Sequence, residues 1–419
     1  MSCRENCKEM RAQERQLSEI ADFVTDKIPM EDVQLTDYVT TDSLLPNKGG
    51  RCVAQNLPPQ KCVLTHYQSG DILVANIRPY LKKIWFADRE GGASADVLVF
   101  RAKSGHSQEF LYASLLQDSF YDYVMKGVKG SKMPRGDKDQ IMRYPIPRLS
   151  LTAEECIGNM IRSFCAKIDV NRRINDNLEA MARQLYDYWF VQFDFPNEEG
   201  KPYKSSGGAM VWNVRLKREI PVGWHVENLI DFAEIKNGAT PSTTDDANYG
   251  GDIVWITPKD LSDQQSKFVY QGERNITKKG FDCCSTSMLP TNSVLMSSRA
   301  PIGLVSIAKH KVCTNQGFKS FIPKDMEESI YLYYYIKHHI KQIEQLGTGT
   351  TFKEVSRDDL CKFPILVVGA KDAYKQWIAL QDEIANKQFA LTNEIAALIK
   401  QRDELLPLLM NGQATLNSD

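Results

Sequence analysis

The fold of this chain is decided by a short loop, helix and strand that occur twice, and the second copy reads GTGTTFKEVSRDDLCKFPI from Gly347 to Ile365. In the first half, the stretch KGSKMPRGDKDQIMRYPI keeps the same order of residue types. Gly130 aligns with Gly349, and Pro145 aligns with Pro364. A repeat separated by about half the chain predicts two copies of one structural module.

Other features recur in the same order on both sides of the middle of the chain. Each half has a turn, an apolar strand and then an arginine close to a proline, Arg78 in the first half and Arg299 in the second. Each half then has an acidic residue that opens a short aromatic-rich helix, Glu109 and Glu328. The shared order indicates a duplication that has diverged.

A long helical segment follows each module, with core positions that recur every seven residues. These positions are Ile157, Phe164, Asn171, Leu178 and Leu185 in the first segment and Trp377, Ile384, Leu391, Leu398 and Leu405 in the second. The pattern predicts two helices that pair as a coiled coil. Taken singly, each is equally typical of an amphipathic helix in an ordinary core. Asn171 and Asn175 either fix the register of the pair or lie exposed, and both readings stay open.

The predicted order is a module, a long helix, a linker, a module and a long helix. The linker contains Pro, Gly and Ser in the run FPNEEGKPYKSSGGA. The predicted ranges are 1–150 for the first module, 151–195 for the first helix, 196–222 for the linker, 223–367 for the second module and 368–419 for the second helix with a C-terminal tail.

Composition excludes several classes of protein. A hydrophobic content of 42% is ordinary for a globular chain, and a net charge of −1 means that any contact with nucleic acid must come from local basic patches. The first residues are charged, and no apolar run is long enough for a membrane span, so a cytoplasmic protein with no membrane contact is expected. The 10 cysteines form no CxxC pair, which predicts reduced thiols rather than a zinc site.

The sequence lacks the usual signatures of catalysis. No Walker A lysine, dinucleotide fingerprint or HExxH spacing is present. One catalytic alternative remains, a Mg²⁺-dependent nuclease that uses Asp231, Glu234 and Lys236, because an ExK pair can bind the metal and activate water.

Basic and polar residues in the loops of both modules predict a DNA-binding surface. Lysine and arginine neutralise phosphates, while hydroxyl and amide side chains hydrogen-bond to base edges. For any single residue, a solvated loop is the alternative. The predicted contacts are Arg78, Lys82, Lys83, Lys132 and Arg135 in the first module and Thr257, Lys259, Ser298, Arg299, Gln316, Thr350 and Lys353 in the second.

Together these motifs resemble the specificity subunit of Type I restriction–modification systems, over nearly the whole chain. The resemblance is carried by NGATPSTTDDANYGGDIVWITPKDL, SSRAPIGLVSIA, CTNQGF and GTGTTFKEVSRDDLCKFPI, and by the linker YKSSGGAMVWNVRLKREIPVGW. The first half departs from the pattern because it has no counterpart of TNQGF and carries RPYLKKIWFADREGGASADVLVF instead.

The resemblance implies a mixed α+β fold, with two α/β target-recognition domains related by the internal repeat and separated by two long antiparallel coiled-coil helices. It implies a chain without catalytic activity or cofactor that binds double-stranded DNA at an asymmetric bipartite target. It also implies two modification (methyltransferase) subunits that use S-adenosylmethionine, and restriction (translocase and nuclease) subunits that use ATP and Mg²⁺. The alternatives are a two-module coiled-coil assembly protein, the nuclease above, and a subunit that serves methylation only.

Overall fold

The computed structural model describes residues 14–130, 132–264, 266–299, 301–349 and 353–413. These residues form two compact units. The first contains the described residues up to Asn175 together with those from Phe389 onward, and the second contains Asp176–Gln388. Each long helix therefore contributes residues to both units.

The first unit is built mainly from short strands. They are Glu14–Gln16, Ala21–Phe23, Lys27–Pro29, Tyr38–Val39, Val63–Tyr67, Ile72–Ala75, Ile84–Phe86, Gly91–Ala93, Val97–Ala102 and Pro145–Pro147. Its short α-helices are Leu17–Ile20, Gln108–Leu116, Asp118–Lys126 and Lys138–Met142.

The second unit has the same mixture of short strands and helices. Its strands are Met210–Asn213, Arg218–Pro221, His225–Asn228, Ala233–Asn237, Tyr249–Ile253, Trp255–Ile256, Phe268–Val269, Val294–Ser297, Val305–Ala308, Cys313–Thr314, Phe318–Pro323 and Pro364–Val367. Its short α-helices are Leu229–Phe232, Pro258–Gln264, Lys278–Asp282, Ser329–His338, Ile340–Gln345 and Arg357–Lys362.

Four antiparallel strands occur in the same order in the central sheets of the two units, which confirms the predicted internal repeat, and the second sheet adds Phe268–Val269 as a fifth strand parallel to Val305–Ala308. Ile72 lies opposite Phe100 in the first sheet, and Val294 lies opposite Phe321 in the second. All four side chains are fully buried. The strand orders are Ala21–Phe23, Val97–Ala102, Ile72–Ala75, Ile84–Phe86 in the first unit and Ala233–Asn237, Phe318–Pro323, Val294–Ser297, Val305–Ala308, Phe268–Val269 in the second.

The repeated stretch quoted at the start closes each module in the same way. In the first copy, the Leu17 amide donates to the Tyr144 carbonyl at 2.9 Å, and in the second, the Leu229 amide donates to the Phe363 carbonyl at 2.8 Å. The strand that follows each carbonyl pairs antiparallel with the strand before each leucine. The repeat therefore joins the end of each module to its beginning.

The first long helix, Leu151–Tyr186, continues as a π-helical turn over Asp187–Val191, and the second long helix spans Lys371–Met410. In the first unit, Ile157 and Ile161 share a core with Leu406 and Leu409. In the second unit, Ala182 and Trp189 share a core with Trp377 and Ala385. The start of one helix thus meets the end of the other, so the helices pair antiparallel, as the family resemblance implied.

Polar side chains occupy core positions of this helix pair. Asn171 is buried, so the reading that it lies exposed is wrong, and Asn175 is half-buried. The second long helix adds Gln381, Gln388 and Arg402, all buried, which the apolar heptad pattern did not predict. Buried polar groups cost free energy unless they are paired. Gln381, Gln388 and Arg402 each donate to an atom of the first long helix and so favour one register, whereas the buried Asn171 Nδ2 has no hydrogen-bond partner among the described residues.

In the second unit, a buried lysine ties the module to both helices. The Lys267 ammonium lies 2.8 Å from the Glu179 carboxylate and donates to the Gln388 amide oxygen at 2.9 Å. The Tyr334 hydroxyl donates to Glu179 at 3.4 Å. Burial lowers the pKa of Lys267, and the Glu179 carboxylate opposes that shift. The ion pair therefore depends on both partners remaining in place.

Replacing Glu179 with alanine should destabilise the chain by about 3 kcal/mol, because it leaves the Lys267 ammonium buried without a carboxylate. Chemical denaturation measures the loss. The double variant Glu179→Leu with Lys267→Met is the control and should recover most of the free energy, since it removes both charges. A single variant as stable as the wild type would contradict the assigned role.

Glu328 lies beside Asp325 at the start of the helix Ser329–His338. Burial, reinforced by the negative charge of Asp325, raises the pKa of Glu328 to about 7. The folded chain therefore holds a proton that the unfolded chain releases near the ordinary glutamate value of 4.5. The stabilising contribution of this group is complete below that value and is lost as the pH rises through about 7.

Glu328→Gln should therefore raise Tm at pH 8, where the wild-type carboxylate is charged in a poorly solvated place. At pH 5 the two proteins should melt at nearly the same temperature, because the wild-type group is then protonated. Thermal unfolding at the two pH values gives the comparison. A difference in Tm that is the same at both would show that the charge of Glu328 is not responsible.

Candidate nucleic-acid interface

Three loops of the second module meet beyond one end of its central sheet. The strand Val294–Ser297 leads into Ser298, whose carbonyl accepts from the Val355 amide at 3.0 Å. Glu354 directly precedes Val355 in the chain, and its carboxylate lies 3.1 Å from Arg299 Nε and 3.1 Å from Lys319 Nζ. Glu354 therefore contacts both a cation in the loop after one strand and a cation in the neighbouring strand Phe318–Pro323.

Glu354 lies in a glycine-rich hairpin. Thr348 and Glu354 exchange backbone hydrogen bonds of 3.0 Å, and Gly349 has a φ of 118°, which residues with a Cβ rarely adopt. Lys353 lies exposed on the hairpin. Thr350, another predicted contact, lies outside the described residues.

Gln316 is exposed, as predicted, and its amide oxygen accepts a hydrogen bond from the Thr240 hydroxyl. Gly238 brings the Thr240 loop close, because a Cβ there would lie 2.0 Å from the Asn315 carbonyl oxygen. Thr240 thus joins the same surface, although it was not among the predicted contacts. The only signal in the sequence was its place in the run NGATP.

The structure corrects the role expected for two hydroxyl groups. Ser298 is fully buried, and its hydroxyl donates to the Gly317 carbonyl at 3.2 Å, so it does not face a base edge. Thr257 is half-buried, and its hydroxyl donates to Asp260 Oδ2 at 2.6 Å at the start of the helix Pro258–Gln264. Both positions hold loops in shape. Lys259, in contrast, is exposed and pairs with Glu273 at 2.6 Å.

The predicted cations of the first module lie in two loops. Arg78 and Lys82 have positive φ values of 52° and 50°, so both lie in a strained turn around Pro79–Leu81. Arg78 is exposed and Lys82 pairs with Asp118 at 2.8 Å. Lys83 donates to the Thr41 carbonyl at 2.5 Å, so its ammonium already has a backbone acceptor.

Lys132 and Arg135 belong to the first-module hairpin that corresponds to Thr348–Glu354. Lys132 is exposed, and Arg135 pairs with Asp96 at 2.6 Å. Lys129 and Arg135 exchange backbone hydrogen bonds of 3.0 and 3.1 Å, as Thr348 and Glu354 do. One hairpin position therefore carries an arginine in the first module and a glutamate in the second.

The strand register revises the correspondence between Arg78 and Arg299. The Gly136 amide donates to the Asn76 carbonyl at 3.2 Å, which is the counterpart of the bond from Val355 to Ser298. Arg299 directly follows Ser298, whereas Arg78 lies two residues after Asn76. The two arginines thus occupy different positions of the repeat. Aligning them by their nearby prolines was wrong by one residue.

The nuclease alternative finds no support in the geometry. Glu234 is paired with Lys236 at 2.5 Å on the strand Ala233–Asn237, and Asp231 lies in the preceding helix. Among the described residues, no group of three or more His, Cys, Asp or Glu side chains could hold a metal ion. Across the same residues, no helix is both long and apolar enough to cross a bilayer.

Glu354→Gln should strengthen DNA binding, because it removes the negative charge from a surface that also carries the exposed cations Arg299 and Lys353. The slope of log affinity against log salt should become steeper by roughly one, the change expected for one additional phosphate contact. Fluorescence anisotropy with a DNA duplex at several salt concentrations measures it. Glu404→Gln, on the exposed surface of the second long helix, is the matched control and should leave the slope unchanged.

Comparison with known proteins shows what this chain is similar to. Residues 221–407 match the Type I restriction modification DNA specificity domain. The Type I restriction enzyme MjaIX specificity subunit of Methanocaldococcus jannaschii is 42% identical over 155 residues, which cover 36% of this chain and 36% of that protein. The Type I restriction enzyme HindI specificity subunit of Haemophilus influenzae is 25% identical, with 90% of this chain and 94% of that protein covered.

A solved structure extends the likeness to the fold. The crystal structure of a Type-I restriction-modification system S subunit from M. genitalium matches with a TM-score of 0.57 at 11% identity, over 98% of both chains. At this identity the match concerns the fold alone. The resemblance seen in the sequence is thus confirmed: the chain is similar to Type I specificity subunits along nearly its whole length, and residues 221–407 match the Type I restriction modification DNA specificity domain.

Proposed function

We propose that this chain is the DNA-binding specificity subunit of a Type I restriction–modification complex and that it recognises an asymmetric bipartite target. One observation supports this most directly. The two modules share a fold, but the same hairpin position carries Arg135 with Asp96 in one and Glu354 with Arg299 and Lys319 in the other. Two modules with the same fold but opposite charges at one candidate contact position are suited to binding two different half-sites.

Two modules are needed because one reads too little sequence. A good bidentate contact to a base discriminates by roughly 1–3 kcal/mol, and one module reaches only a few base pairs. When two modules on one chain engage the same duplex, the second binding step is intramolecular and their specificities multiply. The chain therefore recognises one long target by combining two short half-sites.

In this proposal, the paired long helices set the gap between the half-sites. The first long helix has 36 residues, which corresponds to about 54 Å at ~1.5 Å per residue. One turn of DNA is about 34–36 Å long, so a helix of this length suffices to separate two readers by a turn. A stiff connection would fix the non-specific spacer at one length.

The chain itself is proposed to be non-catalytic and to bind no cofactor. Methylation would come from two modification subunits with S-adenosylmethionine, and cleavage from restriction subunits with ATP and Mg²⁺. The internal repeat supports two equivalent modification subunits, because repeated surfaces offer the same contacts twice. A two-module assembly protein without DNA binding is the main alternative, and it leaves the exposed cations Arg78, Lys132 and Lys353 without a role.

Mapping methylated adenines in DNA from cells that carry this chain and its modification subunit tests the proposal. The expected motif has two unlike halves with a constant gap. Arg299→Ala should relax or weaken one half, and Arg135→Ala should do the same to the other, because each arginine belongs to a different module. Each variant is the control for the other.

A continuous methylated motif, or methylation of adenines without regard to sequence, would refute recognition of a bipartite target. Loss of both halves in Arg299→Ala alone would assign that arginine to the fold. Binding to DNA that does not depend on salt would favour the assembly protein, since phosphate contacts impose a steep negative slope. Cleavage of DNA by the isolated chain with Mg²⁺ would restore the nuclease alternative.

A further inference from the structure

The second unit contains a cavity of about 330 Å³ with an unusual concentration of cations. It lies between the C-terminal end of the first long helix, the turn of the hairpin Met210–Pro221 and the helices on either side of His339. None of the residues that line it was among the predicted DNA contacts. The basic residues of its lining are Arg215, Lys217, Arg218, His338 and His339.

The hairpin turn holds two of these cations in a defined position. The Asn213 side-chain oxygen accepts from the backbone amides of Arg215 and Leu216, both at 3.0 Å, and Lys217 has a φ of 51°. The Arg215 guanidinium donates to the Asn228 side-chain oxygen at 2.9 Å. The stretch predicted as a linker is therefore an ordered hairpin that presents charge.

The cavity has an excess of positive charge. Among the described residues, Arg215, Lys217 and Arg218 form no ion pair with a carboxylate. Arg218 instead donates to the Val191 carbonyl at 2.5 Å and stacks 4.5 Å above the Phe193 ring, and burial lowers its pKa. A desolvated arginine without a carboxylate favours an anion from outside the chain.

The histidines do not add to this charge near neutral pH. Burial lowers the pKa of His339 to about 4 and also lowers that of His338. The Asp187 carboxylate lies 3.6 Å from His338 and is the acidic group paired with this side of the lining. The excess therefore comes from Arg215, Lys217 and Arg218.

The same hairpin exposes several apolar side chains. Val211, Trp212 and Val214 are 47%, 61% and 78% exposed. A two-stranded hairpin has little core of its own, and large exposed apolar side chains next to a charged cavity are typical of a protein-binding surface. Tryptophan and arginine are also the residues that most often dominate binding energy in such surfaces.

The position of the cavity in the fold favours a protein ligand over the DNA held by the loops. Arg215 binds Asn228, which precedes the helix Leu229–Phe232 and then the strand Ala233–Asn237. The far end of that strand pairs Asn237 with Lys319, the residue that contacts Glu354. The cavity and the DNA-binding loops thus lie at opposite ends of a strand that is roughly 15 Å long.

We propose that the cavity and the exposed face of the hairpin dock an acidic segment of the modification subunit, in which carboxylates meet Arg215 and Lys217 and an apolar side chain packs on Trp212. This inference rests on the proposed function, because it assigns that complex one of its contact surfaces. The apolar contact supplies hydrophobic burial, and the cations select an acidic partner and orient it.

The test uses the full chain and the purified modification subunit in biolayer interferometry. Arg215→Glu combined with Lys217→Glu should weaken their association at least tenfold, and Trp212→Ser should weaken it severalfold. Lys311→Glu, an exposed lysine of the same unit outside the cavity, is the matched control and should bind as the wild type does. Affinity of the isolated chain for a DNA duplex is measured in parallel and should change less than twofold in all three variants.

Each result has a distinct meaning. Unchanged association in both hairpin variants overturns this inference but leaves the bipartite reading of DNA intact. Lower DNA affinity with a shallower salt dependence and normal association would show that the cavity binds phosphate, which also overturns it. A wild-type chain that does not bind the modification subunit overturns both the docking site and the proposed complex. Trp212→Ser separates a docking defect from misfolding, because an exposed side chain contributes little to stability.

Discussion

Antiparallel pairing of the two long helices is the constraint on which the rest of the structure depends. Each helix supplies residues to the hydrophobic cores of both units, so neither module has a complete core without it. The pairing is not purely apolar. Gln381 donates to the Ala182 carbonyl at 3.1 Å, and Arg402 is buried with its guanidinium 3.9 Å from the Cys165 sulfur. Polar groups in such positions are stable only when they meet their partners, so they define one alignment of the helices.

The two modules show how a duplicated fold can diverge without losing its frame. Hydrogen bonds that close each module are conserved in position, as between Leu17 and Tyr144 and between Leu229 and Phe363. Side chains on the loops are free of that requirement. The change from Arg135 to Glu354 at one hairpin position reverses a charge and is matched by a reversed partner nearby. Burial and backbone pairing constrain the core of each module. They do not constrain the exposed side chains of the candidate DNA-binding loops.

Several features of the site could be predicted because they depend on local chemistry. The exposed cations Arg78, Lys132 and Lys353 lie on the surface, as their residue types and glycine-rich surroundings indicate. The roles of the hydroxyl groups were harder to predict, because a serine can form its hydrogen bonds with the backbone as well as with a ligand. Ser298 does so with Gly317, and this contact joins residues far apart in sequence. The ion pairs of Glu354 were not predictable either, since Arg299 and Lys319 are remote from Glu354 in sequence and lie in a loop and a strand.

The sequence by itself determined the repeat and the two long helices, because these follow from the order of similar segments along the chain and from the periodic apolar positions. The antiparallel direction of the helix pair was implied only by the family resemblance, and the core contacts within each unit show it. Only the tertiary structure decided which polar groups are buried and with whom. Lys267 reads as an ordinary surface lysine, yet it is 7% exposed because Glu179 and Gln388 are brought to it from two different helices. The hairpin Met210–Pro221, which lies in the predicted linker, likewise lines a positively charged cavity only because it packs against the end of the first long helix. Contacts of this kind depend on distances between residues that are remote in sequence, and no local pattern encodes them.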